Sequence, residues 1–236
     1  MYDGTAYHGF QRQKNGITIQ ESLEEAIKKI TGEMCTVTGC GRTDAGVHAL
    51  CYTANFFTTS SISCQRLPFA LNAMLPKDIR VFAAEDVSTD FHARYSAKEK
   101  TYAYKIVNLP FANVFLSKYS WFYPAKLDIE KMKRGAEHIV GRHDFAAFMA
   151  AGSPVSSTVR TISALTVSEK NGIIDIEVTA DGFLYNMVRI IVGTLVYAGC
   201  GKIEPDEIKN IILSGDRVRA GVTAPPEGLS LKEVIY

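Results

Sequence analysis

The chain has no C-x-x-C pair, no long apolar run, no low-complexity tract and almost no net charge, and each absence excludes something. Its five cysteines, Cys35, Cys40, Cys51, Cys64 and Cys200, are odd in number and irregularly spaced. That pattern argues against a disulfide framework or a structural zinc site and fits a reducing cytoplasm. Cys40 lies close to Asp44, which brings a thiol nucleophile into consideration, but no partner histidine is assignable from the sequence. The most apolar stretch, Ile190 to Cys200, is far shorter than the roughly 20 residues of a membrane span, and it reads as a buried helix. Asp3, His8 and Gln11 interrupt any leader-like apolar region at the start. Neither a Rossmann nor a P-loop glycine pattern occurs, which argues against a nucleotide cofactor. A formal net charge of +1 neither requires nor excludes nucleic acid, because binding depends on where the charges sit.

What is present is an ordinary globular composition, 47% hydrophobic and 22% charged over 236 residues, enough for one large domain or two small ones. The charge is uneven. Arg94, Lys98, Lys100 and Lys105 face only Glu99, and Lys126, Lys131, Lys133 and Arg134 form a second basic group; either group is also what a solvated face looks like. Helical spacing of Leu23, Ala26, Ile27 and Ile30 predicts a helix over 20–31, with Thr18 and Glu21 at capping-box spacing and Gly32 as its stop. Strands are predicted at 35–38, 51–57 and 79–84, and a helix from about Gln65 to Pro76 that gathers Leu67, Leu71, Met74 and Leu75. After Asp90 the pattern restarts. A strand is predicted over 100–107, with Tyr102, Tyr104 and Ile106 on one side, then an amphipathic helix over 128–140 ended by Gly141. A hairpin follows, 159–167 and 173–179 about Asn171-Gly172, then helices over 184–198 and 205–213. The expected class is α/β (α+β), in two halves: residues 1–88, carrying a glycine-rich loop, and residues 89–236.

That loop, Gly39-Cys-Gly-Arg-Thr-Asp-Ala-Gly46, joins two apolar segments. Glycines permit tight turns and close approach of a ligand to the backbone, and Arg42 stands two residues before the Asp44 carboxylate. By local chemistry alone Thr-Asp-Ala-Gly is equally good turn chemistry.

The stretch Gly41-Arg-Thr-Asp-Ala-Gly-Val-His-Ala49 resembles the signature of the TruA-type tRNA pseudouridine synthases. Further blocks resemble that family in its order. They are Tyr2 to Gln11, Asp90 to Ala97 followed by Lys100 to Tyr104, Gly141 to Phe148, Gly182 to Arg189 with Gly193 to Leu195, and Ala224 to Leu231. Family members usually begin a strand before the Tyr-Asp-Gly block and more often carry tryptophan within the Gly9-Phe-Gln11 element. A truncated N-terminus is therefore expected.

The resemblance implies two similar half-domains with mainly antiparallel sheets, flanked by helices and meeting at a central basic cleft. It implies that Asp44 is the nucleophile, attacking C1′ of the ribose or C6 of the base. An aspartate with a reference pKa of about 3.9 is ionised at neutral pH and needs no base to activate it. Arg189 matches the family arginine and is the expected counter-ion. An arginine among Met187, Val188, Ile190 and Ile191 is costly to bury unpaired. Tyr102 matches the family tyrosine expected to stack on the base and assist proton transfer at C5, although it also reads as a core tyrosine beside Tyr104. Arg42 is expected to contact RNA while the nucleotide is extruded, and His92 and Arg94 to meet phosphate or sugar. The implied substrate is the tRNA anticodon stem-loop at positions 38, 39 and 40, acted on by a cytoplasmic homodimer with no metal, cofactor or membrane. The rival readings are a tRNA-binding module without catalysis and a metal-dependent nuclease.

Overall fold

A computed structural model describes residues 1–152 and 155–236. The chain forms two compact units, Met1–Lys98 with Leu231–Tyr236, and Glu99–Ser230. Elements are mixed α and β, and strand pairing is mostly antiparallel, as expected from the sequence.

In the first unit, α1 (Ile19–Thr31) begins where the Thr18 side chain accepts from the Glu21 N–H. It ends at Gly32, whose φ of 78° places it in the left-handed region that closes helices. Ile19, Ala26 and Ile27 form its buried face. Three two-residue strands follow: β1 (Thr38–Gly39), β2 (His48–Ala49) and β3 (Ala54–Asn55), with β1 and β3 antiparallel. The expected strand at 35–38 is reduced to its last residue because the Val37 N–H bonds the Glu24 carboxylate instead of a ladder. The segment 79–84 is not a strand. Ile79 makes one isolated bridge, to Tyr2, and Asn72 takes both the N–H and the C=O of Val81. α2 (Leu67–Met74) has Pro68 in its first turn; it buries Leu71, whereas Met74 is exposed.

In the second unit β4 (Glu99–Val107) is central. It pairs in parallel with β5 (Trp121–Phe122) and antiparallel with β8 (Ile173–Ala180), which pairs with β7 (Val159–Lys170), itself paired with β6 (Gly141–Asp144). Asn171 and Gly172 join β7 to β8 with φ of 55° and 76°, the double positive φ that this hairpin turn requires. Period-two burial along β4 and β8 puts Tyr102, Tyr104, Ile106, Ile174, Ile176 and Val178 in the core. α3 (Ile129–Glu137), capped by Asp128, packs on β7 and on α4 (Met187–Gly199). α3 stops three residues short of its expected end. α4 starts three residues later than expected because Asn186 sits at φ 60°, outside the helical region. α5 (Glu207–Ser214) follows, and β9 (Leu229–Ile235) runs from the second unit into the first. The basic group on α3 is a surface ion-pair lattice: Lys131 with Glu204, Lys133 with Glu130, Arg134 with Asp206.

In the first unit the end of β9 is held by the Leu50 N–H on the Leu231 carbonyl and by the Tyr236 hydroxyl donating to Ala93 O at 2.7 Å. Burial pushes the Tyr236 phenol from 10.0 up to about 12. Unfolding therefore releases a group that ionises more easily, so its contribution is intact below pH 10 and is lost as pH rises through about 12. Chemical denaturation between pH 9 and 12 is expected to show a falling midpoint, with a shallower fall in Tyr236→Phe.

Candidate active site

The loop carrying Asp44 has almost no regular structure of its own, and its shape is imposed by the first ten residues. Phe10 N–H donates to Thr43 O at 3.2 Å, Gly46 N–H donates to Tyr7 O at 3.3 Å, and Tyr2 and Ala49 exchange both backbone hydrogen bonds. The Tyr2 hydroxyl meets the buried Thr43 hydroxyl at 2.8 Å. Gly4 N–H lies 3.0 Å from Nδ1 of the buried His48, and Asp3 Oδ1 lies 3.2 Å from the same nitrogen. Gly4 is required by contact: a Cβ there would lie 2.0 Å from the Val47 carbonyl oxygen. The first and second resemblance blocks are thus a single packed object.

Within it, Asp44 opens a tight turn. Its carbonyl accepts from the Val47 N–H at 3.2 Å, and Gly46 takes the positive φ of 80° that a type II turn needs at its third position. The turn that local chemistry suggested for this residue is therefore present, with Asp44 as its first position. Asp44 is half-buried, Thr43 before it is buried and Arg42 is exposed. On the other side of the loop the Tyr52 hydroxyl donates to the Gly41 carbonyl, and its ring stacks on Phe10 at 4.4 Å.

His92 and Arg94 lie in the same unit, on a turn that organises itself. The Arg94 and Tyr95 N–H groups both donate to His92 Nδ1, at 3.1 and 3.3 Å. The Arg94 guanidinium lies 5.4 Å from the centre of the exposed Tyr95 ring, an available cation.

Tyr102 and Arg189 belong to the second unit. Tyr102, 8% exposed, stands opposite Val178 across the β4–β8 ladder and meets the edge of Phe183 at 5.1 Å. Arg189 is half-buried in the first turn of α4, and the neighbouring backbone and Asn186 both hold its side chain. Its Nε donates to the Ala224 carbonyl at 2.6 Å, and an Nη donates to the Asn186 side-chain oxygen at 2.9 Å. The return bond, Ala224 N–H to Arg189 O at 3.0 Å, makes the 224 segment a strap across the helix start. It can lie there because Gly193 lacks a side chain: a Cβ would be 1.8 Å from Val222 O. The Gly221 N–H also docks on the Thr194 hydroxyl at 2.9 Å.

Sequence reasoning missed Asn186 and the 224 strap. Asn186 was legible in principle, as an asparagine, a residue type that tolerates a left-handed helix-start position, three positions before Arg189. The strap acts through backbone carbonyls, which leave no trace in residue identity. Among the described residues, no group of three or more His, Cys, Asp or Glu side chains could hold a metal ion, and no helix is long and apolar enough to cross a membrane.

A family model described as tRNA pseudouridine synthase matches residues 1–96 and 136–236. The chain belongs to the tRNA pseudouridine synthase family. Among curated relatives, a tRNA pseudouridine synthase A of Thermoanaerobacter sp. (strain X514) is 54% identical over 235 residues, covering 100% of this chain and 96% of that protein. A tRNA pseudouridine synthase A of Acetivibrio thermocellus is 51% identical over the same shares, and a tRNA pseudouridine synthase A 2 of Clostridium perfringens is 48% identical. Membership makes the protein an isomerase that acts on tRNA. Asp44, Arg42, His92, Arg94 and Arg189 fall inside the matched segments, and Tyr102 falls between them, inside the span shared with the relatives.

The Gly4 contact has a direct test. Gly4→Ala must push Val47, and the turn with it, away from the N-terminal segment. Thermal denaturation is expected to show a loss of more than about 1 kcal/mol, typical of strain and overpacking, with faster amide exchange at Val47. An unchanged melting curve would mean that the first ten residues do not mould the loop.

Proposed function

We propose that the protein converts uridine to pseudouridine at positions 38, 39 and 40 of the tRNA anticodon stem-loop, with Asp44 as nucleophile. The observation that carries this reading is the Asp44 turn, a half-buried carboxylate on a loop fixed by buried contacts through its backbone, in a chain of this family. An acid on a mobile surface loop would spend its reactivity on solvent; one held in place lowers the entropic cost of attack.

The reaction needs no redox change. The C1′–N1 glycosidic bond breaks, the freed uracil rotates while held, C5 bonds to C1′, and the C5 proton is lost as N1 gains one. Asp44 supplies the electron pair, at C1′ of the ribose or C6 of the base. In this reading Arg189 is the counter-charge that keeps the carboxylate ionised in a closed pocket. Tyr102 stacks on the base while it turns, and its hydroxyl serves proton transfer at C5. Extruding the uridine costs a few kcal/mol, which contacts from Arg42 offset; His92 and Arg94 bind phosphate or sugar. The protein works without metal or cofactor, as a cytoplasmic homodimer, and reads its tRNA by shape and backbone.

Two measurements test this. Asp44→Asn keeps the size and the turn chemistry but removes the nucleophile. Pseudouridine formation is expected to fall by at least about 10³-fold with tRNA affinity retained. Undiminished activity would dismiss the nucleophile, and an unmodified wild-type product would favour a tRNA-binding module. Mapping of pseudouridines in an unmodified tRNA transcript is expected to show them at 38, 39 and 40; product only elsewhere would defeat the site assignment.

A further inference from the structure

Tyr104, two residues after Tyr102 on β4, has no part in the chemistry above, yet it is among the most enclosed polar side chains of its unit. The side chain is 1% exposed. Trp121 meets its ring edge-on at 6.5 Å, and Gly228 lies so near that a Cβ there would come within 2.5 Å of the ring. A tyrosine placed there to fill space could be a phenylalanine. Its hydroxyl is instead committed to one acceptor, the Pro225 carbonyl, at 2.8 Å. The neighbouring carbonyl, that of Ala224, accepts from Arg189 Nε at 2.6 Å. Pro225 has no N–H and a fixed φ, here −55°, so the two consecutive carbonyls are offered by a stiff piece of backbone. One peptide carbonyl thus ties the segment to the sheet, and the next ties it to the arginine.

We infer that Tyr104 is a positioning residue for Arg189, acting through the Pro225 and Ala224 carbonyls to fix the direction of the guanidinium. This rests on the proposed role of Arg189 at the reacting centre. The other tether of Arg189, Asn186, holds a different nitrogen from a left-handed backbone position that only a few residue types adopt. The Ala224 and Asn186 bonds meet different nitrogens of the planar guanidinium, so the strap sets one of the directions that define its plane. Burial and the nearby Glu227 carboxylate raise the Tyr104 pKa, outweighing the Arg189 cation, so the phenol remains a donor across the working pH range.

The test combines single variants with a double-mutant cycle, read as tritium release from tRNA labelled at uridine C5. Tyr104→Phe keeps the ring and removes the hydroxyl. The expected result is a kcat lowered about tenfold, KM for tRNA within about twofold, and an unchanged melting curve. In an Arg189→Gln background, Tyr104→Phe is expected to cause no further loss, since both changes then remove one function. Tyr104→4-aminophenylalanine, which restores an N–H donor at the same place, is expected to recover kcat. That variant carries the test if Tyr104→Phe folds poorly. A normal kcat in Tyr104→Phe, a full further loss in the Arg189→Gln background, or failure of the amino variant to recover activity would each overturn the inference. A lowered kcat in Arg189→Gln beside a normal one in Tyr104→Phe would sink the inference alone. A normal kcat in Arg189→Gln would sink the role of Arg189 and the inference together.

Discussion

Contact between two stretches of backbone, with no side chain between them, is the constraint on which the site depends. At Gly4 the N-terminal segment lies so close to Val47 that a methyl group would sit 2.0 Å from a carbonyl oxygen. At Gly193 the same closeness joins α4 to Val222, with 1.8 Å left for a Cβ. Each contact fixes a segment carrying a candidate residue, Asp44 in the first case and Arg189 in the second. A loop braced only by side chains inherits their rotamer freedom; one pressed against another backbone does not. Positioning by main chain therefore suits a reaction in which the nucleophile has little to do beyond being in place.

The polar groups around these contacts follow the same logic. Buried hydroxyls and rings take up backbone groups that the irregular segments would otherwise leave unsatisfied. His48 serves the Gly4 N–H, Thr194 serves the Gly221 N–H and Tyr104 serves the Pro225 carbonyl. Each such bond contributes on the order of 1 kcal/mol to stability, but leaving a buried N–H or C=O unpaired costs more than the bond gains. These side chains are thus retained by the irregular backbone they serve.

How much of this was legible in the sequence depended on whether the information lay in side-chain periodicity or elsewhere. α1 was readable because Thr18, the Leu23–Ile30 spacing and Gly32 all point to the same element. The β7–β8 hairpin was readable because Asn-Gly occupies the two positive-φ positions. The apolar segments at 35–38 and 79–84 were misread as strands, since apolar residues alternate there but their backbone groups go to Glu24 and Asn72 side chains. The α4 start was placed too early because the apolar run through Leu184 masked the left-handed tendency of Asn186. Asp44 was ambiguous by local chemistry, and only the long ordered string of family blocks raised it above an ordinary turn. The strap on Arg189 was out of reach, since carbonyl acceptors carry no residue signature.

The return of Leu231–Tyr236 to the first unit has a consequence for how the protein is made. A domain built from consecutive residues can fold as it leaves the ribosome, but this one is interrupted by the whole of Glu99–Ser230. Its Asp44 loop and the segment that moulds it are synthesised first, and the strand that pairs with Leu50 comes after the second unit. For most of translation the first unit has an uncovered strand edge, and a chain stalled between Arg189 and Leu231 carries every candidate residue without the strand that pairs with Leu50. Completion of the first unit therefore waits on Leu231–Tyr236, which are made only after the whole of Glu99–Ser230.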